Sequence, residues 1–85
     1  MEEIKKGDIV VNYNRQWIGI FDRWNPLYSN CFWQWSLYQN NLSKESNNVT
    51  FSSALHATEA EKDKFKKALL QKGYSYCDGE VILEL

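Results

Sequence analysis

The stretch CFWQWSLYQN, residues 31–40, contains four aromatic side chains and no charge. Its apolar residues follow the two-residue period of a β-strand, in which neighbouring side chains point to opposite faces of a sheet. We therefore predict a strand here, the third of the chain. Its core face is predicted to consist of Cys31, Trp33, Trp35 and Leu37, and its other face of Phe32, Gln34, Ser36 and Tyr38.

Two further strands are predicted before this one. Residues 9–13 and 17–21 are rich in β-branched and aromatic side chains, and the polar residues 14–16 between them favour a hairpin. Gly19, inside the second strand, indicates a bulge, a bend or the close approach of another backbone.

Loops are predicted on both sides of the third strand. Residues 24–30 contain Asn, Pro and Ser, which are typical of turns, and residues 40–48 form a polar stretch without periodicity. Residues 49–51, which follow, are a candidate for a short fourth strand.

The clearest local signal is the start of a helix. Thr58 and Glu61 have the spacing of a capping box, in which each side chain accepts a hydrogen bond from the other residue's backbone N–H. The predicted helix covers residues 58–72 and ends at Gly73, a residue that suits the left-handed cap position.

The chain after the helix is predicted to form a short strand or hairpin. Tyr74 and Tyr76 are separated from the apolar residues 81–83 by Asp78-Gly79, a turn signal. We therefore predict one small α+β domain over residues 1–85. It consists of a bent antiparallel sheet of four to five strands with one helix packed on it, and the sheet could be an SH3-like barrel.

Composition limits the classes of partner. The 85 residues carry a formal net charge of −1, so no overall field attracts nucleic acid or an anionic membrane. No signal peptide or membrane-spanning stretch is recognisable. We therefore expect a cytoplasmic protein with reduced cysteines. Eight Asn and eight Lys residues are typical of an AT-rich bacterial or phage gene.

Several short motifs resemble a known group of sequences. They are Gly7-Asp8-Ile9-Val10, Trp17-x-Gly19-Ile20-Phe21, Ala57-Thr58-Glu59-Ala60-Glu61-Lys62 and Lys72-Gly73-Tyr74. With these motifs the chain resembles short uncharacterised proteins of gut Bacteroides and their phages, over nearly its full length. The resemblance implies an α+β fold and supplies no catalytic residue.

Few side chains are candidates for catalysis or metal binding, and their spacing favours neither function. They are Cys31, His56, Cys77 and Asp78, and they match no zinc-binding pattern. A Cys–His dyad needs a thiol beside the imidazole, whereas Cys31 lies on the predicted core face. Capping of the helix explains its acidic first turns. We therefore expect no enzyme activity, no cofactor and no metal site, and keep a Cys/His-dependent enzyme as a minor alternative.

Aromatic residues are the main functional signal. Eight of them lie between residues 16 and 42, and we expect a small sheet to bury one face, which leaves rings exposed or covered by a partner. We predict a binding module that associates with itself or with another protein, although the rings could also all lie in the core. The predicted partner-binding residues are Trp24, Tyr28, Phe32 and Tyr38.

Single-stranded nucleic acid is the alternative partner. Its bases would stack on Trp24, Phe32 and Tyr38. Its phosphates need cations, and a chain of net negative charge binds single strands poorly. We therefore rank this alternative below self-association or protein binding. The cations expected on that side are Lys5, Lys6, Arg15 and Arg23.

Overall fold

Five antiparallel strands form the main sheet of the protein, whose computed structural model describes residues 3–45 and 50–83. The strand order is β4-β3-β2-β1-β5, and a separate hairpin pairs β6 with β7. The predicted α+β class is confirmed. A barrel requires the two edge strands to pair, whereas β4 and β5 lie at opposite edges, so the sheet is open and the SH3-like alternative is wrong. The elements are β1 Ile9–Val11, β2 Trp17–Trp24, β3 Cys31–Tyr38, β4 Asn41–Lys44, β5 Leu55–His56, α1 Glu59–Gln71, β6 Tyr74–Cys77 and β7 Glu80–Leu83.

The first hairpin is confirmed, with a shorter first strand than predicted. β1 ends at Val11 because Asn12 enters the turn, where its Oδ1 accepts a hydrogen bond from the Trp17 backbone N–H at 3.1 Å. Arg15 adopts a positive φ of 59° in this turn. β2 then continues three residues beyond its predicted end, to Trp24.

A break in register between β2 and β3 changes which residues share a face. Ile20 pairs with Trp35, but Phe21 pairs with Trp33, so Gln34 is an extra residue in β3. Such a bulge reverses the alternation of side chains beyond it. Trp33 and Trp35 therefore belong to different apolar clusters, and the prediction that Cys31, Trp33, Trp35 and Leu37 share one face is wrong, although all four are buried.

The first face of the sheet is covered by α1 and the β6–β7 hairpin. Phe65 and Leu69 of the helix are fully buried there. Tyr74 of β6 meets the Trp35 ring edge-on, with centroids 5.0 Å apart. The sheet contributes Ile9, Val11, Ile18, Ile20, Trp35 and Leu37 to this cluster.

The second face is also buried, so the expectation that the sheet buries one face is wrong. Phe51 and Ala54 lie over it, in the segment before β5. The Phe51 ring stacks on Trp33 at 4.0 Å and meets Trp17 edge-on at 5.7 Å. Much of the aromatic content is thus accounted for within one chain. The second cluster is Val10, Phe21, Cys31, Trp33 and Ala54, with Ile4, Trp17 and Phe51 partly buried against it.

The polar stretch after β3 contains a strand that the sequence analysis missed. Gln39 and Asn40 have φ values of 50° and 64°, which is the geometry of a two-residue hairpin turn. β4 follows, and its Leu42 pairs with Leu37 and packs against the first cluster. Residues 46–49 lie outside the described residues. Of the predicted strand 49–51, Thr50 is not in a strand and Phe51 makes one isolated bridge, to Cys31.

The helix is confirmed, including both of its ends. Thr58 Oγ1 accepts from the Glu61 backbone N–H at 3.2 Å, and Glu61 Oε1 accepts from the Thr58 N–H at 2.8 Å. Gly73 has a φ of 86° just after the helix. The predicted C-terminal hairpin is confirmed as well: Asp78 and Gly79, both with positive φ, form its turn.

Candidate interaction surface

The connection between β2 and β3 is the most exposed apolar region in the described part of the chain. Its two ends are joined by a hydrogen bond from the Asn25 backbone N–H to the Asn30 carbonyl, at 2.9 Å. Inside it, Asn25 Oδ1 accepts from the Leu27 N–H at 3.0 Å, which is a local turn typical of Asn. We call residues 24–30 the hairpin tip.

Three large apolar side chains of the hairpin tip face solvent. Trp24 is 50% exposed, Leu27 80% and Tyr28 70%. The Trp24 ring contacts buried Phe21, with centroids 5.1 Å apart, so the indole is anchored on the second cluster while half of it remains accessible. Trp and Tyr are also the side chains that most often dominate binding energy in interfaces.

Charges lie beside the hairpin tip but not within it. Residues 24–30 include no ionisable group except the Tyr28 hydroxyl. Asp22 forms ion pairs with Arg23 and with Lys6, the latter at 3.5 Å. The Arg23 guanidinium also lies 4.3 Å above the centroid of the Phe32 ring, a cation–π contact. Phe32 is therefore half-buried under Arg23 and supports the base of the tip.

Tyr38, the fourth predicted partner-binding residue, lies elsewhere. It pairs with Trp17, whereas Cys31 pairs with Trp24 at the other end of the same two strands. Eight strand residues span roughly 25 Å, so Tyr38 is separated from the tip by about the length of β2. Its ring stacks on Trp17 at 4.3 Å with an interplanar angle of 15°.

The structure thus groups the predicted residues into two places. Trp24 and Tyr28 share the hairpin tip, Phe32 lies at its base, and Tyr38 lies at the opposite end of β3. Sequence reasoning missed Leu27, the most exposed of the three tip residues. The available signal was an apolar side chain directly after Pro26, within a run of turn residues.

The two candidate nucleophiles, Cys31 and Cys77, have different surroundings. Cys31 is buried, and its thiol donates to the Phe51 carbonyl at 3.5 Å. Burial raises the pKa of the Cys31 thiol, which disfavours the nucleophilic thiolate. Cys77 is exposed. Within residues 3–45 and 50–83, no three His, Cys, Asp or Glu side chains form a group that could hold a metal ion.

The pKa of the Glu61 carboxyl is lowered by its hydrogen-bond partners. Arg15 donates to it twice, from Nη2 to Oε1 at 2.7 Å and from Nε to Oε2 at 3.0 Å. These bonds lower the pKa of the Glu61 carboxyl, and its bond from the Thr58 backbone adds to the effect. The same guanidinium reaches the His56 carbonyl at 3.2 Å. Glu61 therefore links the helix start to the first hairpin.

Comparisons with known proteins indicate no function for this chain. Across the ranges that the structure describes, no helix is both long enough and apolar enough to cross a membrane. No family model matches the chain, and searches of curated proteins and of solved structures found no significant match.

Proposed function

We propose that this chain is a non-enzymatic binding module that associates with a second copy of itself through the hairpin tip. The observation that carries the proposal is the exposure of Trp24, Leu27 and Tyr28 together on one short connection. Three large apolar side chains close together in sequence are costly to leave in water, and clustered exposed apolar surface marks interaction sites.

The area of the tip sets the expected strength of association. Large side chains each bury roughly 150–250 Å² when fully covered, so three partly exposed ones offer on the order of 400 Å². Two tips packed together would bury about twice that, which is below the ~1,200 Å² at which stable interfaces begin. We therefore expect a weak dimer that exchanges rapidly with the monomer.

The charge distribution favours a second copy as the occupant. Two-fold packing brings identical surfaces together, which is unfavourable when the contact carries a net charge. The hairpin tip has no charged side chain, and Asp22 and Arg23 beside it have opposite signs. The apolar contact itself would therefore bring no like charges together.

Sedimentation velocity from micromolar to millimolar concentration tests the proposal. The average mass of the wild-type protein should rise with concentration, and the variant Leu27→Ser/Tyr28→Ser should remain monomeric. Both side chains are exposed, so the fold should be retained, which circular dichroism verifies. The matched control is Tyr13→Ser/Leu70→Ser, which alters side chains that are 70% and 60% exposed elsewhere.

The control variant should associate like the wild type. A wild-type protein that stays monomeric at millimolar concentration would overturn the proposal. So would an equal loss of association in the tip variant and in the control, because the contact would then be unspecific.

We also propose a cytoplasmic setting for this module. It is supported by the two free cysteines, Cys31 and Cys77, the second of which is exposed. Exposed thiols persist in reducing compartments and tend to be oxidised in secreted proteins.

A further inference from the structure

We propose a second binding site, at the free edge of β7, that takes an extended peptide segment as an added β-strand. The β6–β7 hairpin is a sheet of two strands, so each strand has one partner and one outer edge. β6 packs against α1, whereas β7 borders a hollow of about 460 Å³ between the hairpin and strands β3 and β4. None of the residues that line this hollow belongs to the hairpin tip, so the site is independent of the proposed self-association.

The register of the hairpin leaves backbone groups of two residues free at this edge. The turn at residues 78–79 has two residues, so Cys77 and Glu80, which flank it, form a hydrogen-bonded pair. Such pairs alternate with non-bonded pairs along an antiparallel ladder, so Val81 and Leu83 direct their N–H and C=O groups away from β6. Within the described part of the chain, no other backbone group bonds to them. Donors and acceptors that recur at every second residue match an extended chain.

The side chains around the hollow form an apolar floor for such a strand. Val81 and Leu83 point to the same face of the hairpin as Tyr74, because side chains alternate along a strand and Tyr74 pairs with Leu83. Trp35 lines the hollow from the main sheet and meets the Tyr74 ring edge-on at 5.0 Å. Leu83 is 55% exposed, so a third strand would cover an apolar side chain that one chain leaves in water.

The charges at the site favour a peptide with one basic residue, at the end nearest the hairpin turn. Glu80 and Asp78 are both exposed there and line a second, smaller hollow together with Lys6. Lys6 is already paired with Asp22 at 3.5 Å, so the two carboxylates lack a counter-charge of their own. Lys44 lines the larger hollow, which disfavours a basic residue on the inner side of the peptide. Opposite charges on neighbouring strands stabilise their pairing, whereas like charges oppose it.

The register predicts the sequence of the strand that fits. Antiparallel pairing is slightly more stable per residue than parallel pairing. The peptide residues opposite Val81 and Leu83 then point into the hollow and should be apolar. The residue opposite Ile82 points outward and should be β-branched, and the residue opposite Glu80 should be basic. The peptide core, from N- to C-terminus, is thus Val-Thr-Val-Lys. Binding should be weak, because so short a strand buries far less than the ~1,200 Å² at which stable interfaces begin.

An NMR titration of the isotope-labelled protein with the peptide Ser-Val-Thr-Val-Lys-Ser, blocked at both ends, tests the site. The amide signals of Val81 and Leu83 should shift most, since their N–H groups gain hydrogen bonds. N-methylation of either valine should weaken binding at least about ten-fold, because each valine N–H bonds to β7. N-methylation of the threonine should be tolerated, because its N–H points away from β7.

A charge exchange tests the predicted register. The variant Glu80→Lys should bind the lysine peptide about two- to five-fold more weakly and prefer the peptide Ser-Val-Thr-Val-Glu-Ser. The matched control is Glu59→Lys, which makes the same change in charge at an exposed carboxylate on α1 and should keep the wild-type preference. Equal preference of the wild type and Glu80→Lys would contradict the register. The tip variant Leu27→Ser/Tyr28→Ser should bind the peptide normally, which separates this proposal from self-association.

The proposal fails on any of three further outcomes. The first is that the β7 amide signals do not shift at millimolar peptide. The second is equal weakening by N-methylation of a valine and of the threonine, which would exclude strand pairing in this register. The third is a shift of the β7 amides when the protein is concentrated without peptide, which would make a second copy of the chain the occupant of this edge.

Discussion

Replacing Gly19 by alanine should strongly destabilise the protein, because the second apolar cluster leaves no room for a Cβ atom. A Cβ placed on Gly19 would lie 2.2 Å from Cε3 of Trp33 and 2.3 Å from the Trp35 carbonyl oxygen. The Trp33 ring has little freedom to move away, because it is buried and stacked on Phe51. The close approach predicted at this glycine is thus made by an indole ring and by the neighbouring strand.

The expected cost follows from these two contacts. Overpacking a core typically costs about 1–3 kcal/mol, and losing an aromatic stack adds about 0.5–1.5 kcal/mol. We expect Gly19→Ala to lower the free energy of unfolding by about 2–4 kcal/mol, a large part of the ~4–13 kcal/mol typical for this chain length. Urea denaturation followed by tryptophan fluorescence measures the loss.

A second variant tests the stated cause. Trp33→Leu removes the ring but leaves the Trp35 carbonyl in place, so alanine at position 19 should cost about 1 kcal/mol less in that background and still be unfavourable. A Gly19→Ala protein within about 0.5 kcal/mol of the wild type would refute the packing argument. An equal alanine cost in both backgrounds would refute the role of the indole.

Two further predictions concern titratable groups. Since Arg15 lowers the pKa of Glu61 in the folded state, the ionised carboxylate stabilises the fold above the ordinary Glu pKa, and this contribution is lost as the pH falls through the lowered value. Glu61→Gln retains the cap but not the charge, so it should be less stable than the wild type by up to about 1 kcal/mol at neutral pH and equally stable in strong acid. Urea denaturation at neutral and at acidic pH measures the difference in the free energy of unfolding between the two proteins. A difference that is the same at both pH values would contradict the role of the ion pair. With Ellman's reagent at neutral pH, Cys77 should react quickly in the native protein and Cys31 only after unfolding. Rapid labelling of Cys31 in the native state, read by mass spectrometry, would support the Cys/His enzyme alternative.

Elements with short-range signals were predicted correctly from the sequence. The helix has its capping box at Thr58 and its left-handed glycine at Gly73, and the last hairpin has Asp78-Gly79 at its turn. Each of these signals involves residues within a few positions of one another, so local conformational preference and the final fold agree.

Features that depend on register or on distant contacts were missed. The extra residue Gln34 in β3 cannot be recognised from alternation, because CFWQWSLY alternates regularly, yet it places Trp33 and Trp35 in different clusters. Similarly, Phe51 covers the second face only through its pairing with Cys31, twenty positions away. β4 was missed because Gln39 is an unusual residue for a left-handed turn position.

The candidate surfaces show the same division. Aromatic residues within a turn-rich loop correctly indicated exposure at Trp24 and Tyr28. Which rings lie near one another, however, depends on strand pairing, so Tyr38 was grouped with residues at the far end of the same hairpin.

The bond between Arg15 and Glu61 has a consequence for how this domain tolerates change. It joins residues 46 positions apart, and its two ends also serve the helix cap and the His56 carbonyl. The first turn of the helix and the loop of the first hairpin therefore complete their hydrogen bonds only when the two pack together. Substitutions at this corner should therefore destabilise the fold less as compensating pairs than singly, because a pair can preserve the contact that a single change removes.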